Sequence, residues 1–279
     1  MRAAVCGLGR MGAAFAAALA ARGHAVTAWN RTPRKARGDL TGVRLAGNPA
    51  EAARNAEAVV VAVFDGPAAA SVLLGPDGIA AGAAPGTLVV NATTLAPEES
   101  RALAAEAVAA GLRYLEAPVL GSVPAVRAGT LRVLTGGAEQ DAREAEPVLR
   151  AWTHAGSRRH TGPVGSATAL KLVANLGLGL AVAALHDSVR LGEALGLARA
   201  DVLDALEGGA FGGLVARKRS RLREDAYGEA DFTVAALAKD LALATAATSS
   251  ALGDAATGLL TRAARTDGSL DVAALGRSG

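Results

Sequence analysis

The amino-acid sequence predicts an α/β fold: an N-terminal doubly wound parallel sheet, then a long interdomain helix leading into an all-α C-terminal domain. Three observations carry that reading. Up to about residue 162, short apolar runs rich in valine and leucine alternate with alanine-rich helical stretches, the pattern of a parallel sheet covered on both faces. A glycine-rich turn directly follows the first strand and opens the first helix. From Pro163 to Leu191 neither a further proline nor strand-like alternation interrupts one long helical run. The domains are therefore expected at 1–162 and 163–279, with the long helix at 163–191.

The elements follow in order. Arg2–Cys6, Ala25–Trp29, Val59–Val63, Leu88–Asn91, Arg113–Ala117 and Leu131–Leu134 read as strands, mostly apolar and bounded by Gly, Pro or Asn. Met11–Arg22, Asn48–Asn55, Pro67–Leu74 and Pro97–Ala110 read as helices. Asn48-Pro49 is a capping residue followed by a proline at the first helical position, a strong start signal. After the long helix come helical segments at Asp201–Glu207, Thr233–Ser249 and Asp254–Arg265, with Gly208–Gly213 as a flexible connection and a frayed end after Gly276.

Composition bounds the rest. Of 279 residues 51% are hydrophobic and 20% charged, which excludes a disordered chain and supplies two cores. A single cysteine, Cys6, excludes a disulfide framework and a thiolate metal cage. The four histidines show no metal-binding spacing, so no metal is expected. A net charge of +3 and 3% aromatics argue against nucleic-acid binding, which needs clustered cations and stacking rings. No basic leader precedes the first strand, and the apolar run Leu172 to Leu185 is broken by Asn175 and closed by His186-Asp187. The expectation is a cytoplasmic protein that binds no membrane.

Gly7-Leu8-Gly9-Arg10-Met11-Gly12 is a GxGxxG in the strand–turn–helix setting the motif needs. Its first glycine permits the tight turn, its second lets backbone approach a pyrophosphate, and its third lets helix and strand pack closely. The helix N-terminus then faces the anion. At the end of the second strand, where an NAD-binding unit places Asp or Glu for the ribose 2′-hydroxyl, this chain reads Asn30-Arg31-Thr32, with Arg34 and Lys35 beyond. A missing acid and a nearby cation point to the 2′-phosphate of NADP; a solvated basic loop is the alternative.

Only four of the 29 basic residues are lysines: Lys35, Lys171, Lys218 and Lys239. Where arginine is the default cation, a lysine marks a position whose chemistry needs one. Lys171 and Asn175 are one helical turn apart on a face otherwise apolar or small, with Leu172, Leu178 and Val182. A partly buried lysine beside a nicotinamide can protonate or stabilise an alkoxide as hydride reaches a carbonyl. The alternative is a lysine whose stem packs while its head reaches water. Lys239-Asp240 lies on another helix, either as part of the site or as a surface ion pair. The run Arg217–Arg223 reads foremost as a solvated helix face.

With these motifs in order, the sequence resembles the β-hydroxyacid dehydrogenase family, which includes 3-hydroxyisobutyrate dehydrogenases and the glyoxylate and succinic semialdehyde reductases. The likeness runs through GLGRMG, NRT, NATT at Asn91–Thr94, EAPVLGSVPA at Glu116–Ala125, GPVGSATALKLVAN at Gly162–Asn175 and KDLALA at Lys239–Ala244. The resemblance implies that Lys171 is catalytic, that Asn175 is its substrate-side neighbour and that Lys239 contacts the cofactor and active site. It places Thr93 near the nicotinamide, has Gly121 and Ser122 line the substrate carboxylate site, and implies a homodimer built through the α-domain. Leu120 stands where the family carries serine, which removes a hydroxyl from that pocket and leaves the usual substrate open; Ser122 is a candidate replacement. The reading is an NADPH-dependent oxidoreductase interconverting a small aldehyde or keto acid and its hydroxy acid. Imine reduction is the alternative, weakened because imine reductases usually lack a lysine at this position. A non-catalytic NADP-binding module is a further one, and members of that kind have lost the catalytic lysine.

Overall fold

The computed structural model describes residues 1–33, 36 and 38–275. They divide into two compact units, Met1–Lys171 and Leu172–Gly279.

Among the described residues the first unit has nine strands: β1 (Arg2–Cys6), β2 (Ala25–Trp29), β3 (Val43–Leu45), β4 (Ala58–Val61), β5 (Leu88–Asn91), β6 (Arg113–Glu116), β7 (Val119–Leu120), β8 (Arg132–Thr135) and β9 (Arg158–His160). The first six form one parallel sheet in the order β3-β2-β1-β4-β5-β6. Chain order reverses between β1 and β4, the point where a doubly wound sheet opens a crevice at its carboxyl edge. Period-2 alternation decides the two cores. Ala3 and Val5 of β1 join Phe15, Leu19 and Trp152 on one face, while Ala4 and Cys6 join Val59, Leu73, Ile79 and Tyr114 on the other. Phe15 stacks on Trp152 with ring centroids 4.0 Å apart.

Helices α1 (Arg10–Ala21), α2 (Pro49–Ala53), α3 (Gly66–Leu74), α4 (Ile79–Gly82), α5 (Pro97–Ala109), α6 (Val123–Arg127), α7 (Glu139–Glu144) and α8 (Glu146–Leu149) complete this unit. The expected cap is present: Asn48 accepts the Glu51 N–H at 2.7 Å. The strand read at 131–134 does not join the main sheet. As β8 it pairs antiparallel with β7 and parallel with β9 in a separate three-stranded sheet.

The long helix is α9 (Ser166–Ala194), displaced by three residues at each end from the expected 163–191. Gly162 and Gly165 hold φ of +118° and +97°, outside the helical region, so the helix starts only after them. At the other end nothing stops it until Gly196, at φ +78°. The first turn and a half of α9, up to Lys171, belongs to the first compact unit. By length and composition α9 meets the criterion for a membrane span, although its polar side chains include Lys171, Asn175, His186 and Asp187.

In the second unit α9 continues into α10 (Arg199–Glu207), α11 (Gly212–Glu224), α12 (Val234–Ala247) and α13 (Ala251–Asp267). Leu203, Val215, Leu237, Leu241 and Leu260 fill its core. The glycine-rich connection is shorter than expected, because Gly212 and Gly213 open α11. The basic run on α11 is largely spent on ion pairs. Lys218 Nζ lies 2.8 Å from the buried Asp271, and Arg219 holds Asp204 and Glu207.

Candidate active site

The glycine loop sits at the end of β1. The first and third glycines have separate steric reasons. A Cβ on Gly12 would lie 1.8 Å from the Gly7 carbonyl oxygen, and one on Gly7, at φ +99°, 2.3 Å from the Ala62 oxygen. Gly9 has no atom within 4 Å of its would-be Cβ, which leaves the loop open on the side a ligand would approach. Arg10 begins α1, Met11 is half-buried in it, and its first turn carries no acid. An anion is therefore favoured at this helix N-terminus. The open face at Gly9 and the unopposed helix terminus fit a dinucleotide pyrophosphate.

Asn30 takes a role beyond the one expected of it. Its Oδ1 accepts the Leu8 N–H at 2.9 Å, and its Nδ2 donates to the Thr32 carbonyl at 2.8 Å. It therefore ties the glycine loop to the turn containing Arg31 and Thr32, both exposed. Arg34 and Lys35 lie outside the described residues.

A buried hydrogen-bond chain runs from the β5 end to α9. Thr93 Oγ1 accepts the Val63 N–H at 3.2 Å, and the Thr93 N–H donates to Asn91 Oδ1 at 3.0 Å. Asn91 Nδ2 donates to the Tyr114 hydroxyl at 2.8 Å, which lies 3.3 Å from Ser100 Oγ. Ser100 donates to Glu116 Oε2 at 2.8 Å. The same oxygen accepts from Thr168 Oγ1 at 2.8 Å, while Oε1 accepts the N–H groups of Gly165 at 2.9 Å and Ala167 at 2.7 Å. Burial pushes the Tyr114 phenol up to about 12, so it remains a neutral link. Glu116 thus fastens the N-terminal turn of α9, on which Lys171 follows one turn after Thr168.

Lys171 is 8% exposed, unlike a lysine with its head in water. Leu120 is half-buried in β7; Gly121 holds φ +132°, and Ser122 caps α6 without a side-chain bond to it. These sit in the first unit. In the second, Asn175 is buried and its Nδ2 donates to Asp240 Oδ2 at 2.5 Å. Lys239 Nζ lies 2.7 Å from Asp240 Oδ1. The ion pair read as a surface alternative exists, but its carboxylate is buried. Among the described residues no group of three or more His, Cys, Asp or Glu is placed to hold a metal ion.

Glu116 is a residue that sequence reasoning did not single out as a site component; Asp240 was read only together with its neighbour Lys239, and its bond to Asn175 was not foreseen. The available signal for Glu116 was a carboxylate closing an otherwise apolar strand.

The sheet order and glycine loop define a dinucleotide-binding protein. Residues 2–162 match the model described as the NAD binding domain of 6-phosphogluconate dehydrogenase. Residues 165–275 match that of the NAD-binding domain of NADP-dependent 3-hydroxyisobutyrate dehydrogenase. The chain belongs to the β-hydroxyacid dehydrogenase family of NAD(P)-dependent enzymes acting on CH–OH groups. An uncharacterized oxidoreductase of Synechocystis is 34% identical over 244 residues, 86% of this chain and 83% of that protein. The structure of 3-hydroxyisobutyrate dehydrogenase from Mycobacterium tuberculosis with L-serine is 29% identical, with a TM-score of 0.83 over 99% of this chain and 98% of that one. An imine reductase of Myxococcus stipitatus shares the fold at 23% identity and TM-score 0.67, covering 99% and 98%. Curated relatives also include the longer human nuclear factor N-PAC, 31% identical over 252 residues; the match takes in 89% of this chain and 44% of that protein.

Proposed function

We propose that this chain is an NADPH-dependent reductase that interconverts a small aldehyde or keto acid and its hydroxy acid, with Lys171 as general acid and base. The observation that carries the proposal is the buried Lys171 on a helix whose first turn is clamped by Glu116. When bound, the nicotinamide supplies or accepts the hydride. Lys171 Nζ donates a proton to the carbonyl oxygen in reduction and takes it back in oxidation. Asn175 orients the substrate oxygen, and Lys239 contacts the cofactor from α12. Gly121 and Ser122 hold the carboxylate through backbone N–H and hydroxyl, and Thr93 borders the nicotinamide.

The 2′-phosphate falls to Arg31 and Thr32. Asn30 supports this choice: it spends its amide on Leu8 and Thr32 and brings no negative charge to the end of β2. The description of the second family model, NADP-dependent, supports the same cofactor. L-serine, present with the Mycobacterium tuberculosis protein, is a three-carbon β-hydroxy acid and supports a substrate of that size. Leu120 in place of serine favours a less polar neighbour beside the carboxylate, and it is the feature that keeps imine reduction as the second reading.

The active species is proposed to be a homodimer through the α-domain. Val173 and Leu191 on α9 are 67% and 61% exposed, and a second copy of the chain would cover them.

The test is a panel of aldehydes, keto acids and cyclic imines followed by NADPH absorbance. Fastest turnover of a short aldehyde or keto acid supports the proposal. Turnover of imines alone replaces it with the second reading, and cofactor binding without turnover of anything overturns both.

A further inference from the structure

The second unit holds a buried carboxylate that the proposed chemistry does not use. Asp240 is 2% exposed, and a carboxylate taken out of water is costly unless both oxygens are matched by donors or cations. Here each oxygen has its own partner, Asn175 Nδ2 at 2.5 Å and Lys239 Nζ at 2.7 Å. An asparagine side chain carries a donor end and an acceptor end of nearly equal shape, and its neighbours decide which way it points. An ionised carboxylate only accepts. Turning the Asn175 amide over would set its oxygen against Asp240 Oδ2, lone pair against lone pair.

We propose that Asp240 is the positioning residue of the substrate side: it fixes the Asn175 amide with its NH2 toward α12 and its carbonyl oxygen directed away from Asp240. The same carboxylate holds Lys239 in place. An acceptor held in one direction selects a donor on the substrate, and the hydroxyl of a hydroxy acid is such a donor. The inference rests on Asn175 being the substrate-side residue of the preceding subsection, and it adds the residue through which that orientation is set.

A double-mutant cycle tests it, using the compound turned over fastest in the panel. Asp240→Asn, close to isosteric, is expected to lower kcat about ten-fold in the otherwise unaltered enzyme and less than two-fold on an Asn175→Ala background. A merely structural residue would cost the same in both. A nitrogen-15 spectrum gives a readout independent of turnover. The Asn175 side-chain NH2 signal, assigned from its loss in Asn175→Ala, should be protected from solvent exchange and lose that protection in Asp240→Asn and Asp240→Ala. Equal losses in both backgrounds, or unchanged protection, overturn the role of Asp240 alone. If Asn175→Ala itself keeps full turnover, the assignment of Asn175 falls and takes this inference with it.

Discussion

The carboxylate of Glu116, at the end of β6, accepts the Ala167 N–H at 2.7 Å and so ties the central sheet to the start of α9 across 51 positions of sequence. Two further donors to the same side chain, Ser100 and Thr168, meet its other oxygen. Gly136 makes room for it: a Cβ there would lie 2.1 Å from Glu116 Oε1.

Glu116→Ala should therefore destabilise the fold by about 3 kcal/mol or more, since buried donors lose a charged acceptor. Glu116→Gln should cost less, about 1–2 kcal/mol, because the hydroxyls of Ser100 and Thr168 can rotate to accept from the amide. Urea denaturation checks both. Equal stability of the Ala variant and the parent would contradict the anchoring role.

Cofactor choice is predicted to rest on Arg31. A charge-assisted contact to a phosphate contributes about 1.5–3 kcal/mol, so NADPH should be preferred over NADH by about ten-fold or more. Arg31→Ala should raise the KM for NADPH and leave that for NADH nearly unchanged. Equal KM values for the two cofactors in the parent enzyme would count against the prediction.

The fold was legible wherever local pattern and tertiary demand agree. β1, β2 and β5 lie at the residues expected; β1 and β5 are apolar runs buried on both faces, and β2 buries alternate residues. β3 is a three-residue edge strand with two exposed members, too short to leave a pattern. β7 has two residues and β9 is Arg-Arg-His; only their pairing with β8 makes them strands. The glycine loop and the Lys171–Asn175 spacing were legible because their chemistry is local. The role of Glu116 and the bond between Asp240 and Asn175 were not, because each joins segments at least 49 positions apart.

Cys6 offers a probe of the first unit. It is fully buried in β1, and burial pushes its thiol up to about 12. The unfolded chain loses that proton at lower pH than the folded one, so this contribution is complete below about pH 8.5 and is lost as pH rises toward 12. At pH 8 a disulfide reagent should label Cys6 only as fast as the protein opens. Immediate stoichiometric labelling of folded protein would show the strand to be accessible.

For the dimer, Leu191→Glu places a charge on the exposed apolar side of α9. Sedimentation at micromolar concentration should give twice the chain mass of 27.6 kDa for the parent and a shift to monomer for the variant. A monomeric parent would remove the assembly proposal.

The most direct test of the account is the rate of NADPH oxidation by Lys171→Ala on the best carbonyl substrate, with NADPH affinity measured in parallel. General acid catalysis contributes about 10²–10⁴-fold, so turnover should fall at least a hundred-fold. NADPH affinity should stay within about two-fold, because the Gly7–Gly12 loop is untouched. Lys171→Arg should remain slow, since a guanidinium keeps its proton and cannot serve as a base. Near-normal turnover in the Ala variant would make the lysine structural and contradict the proposed chemistry.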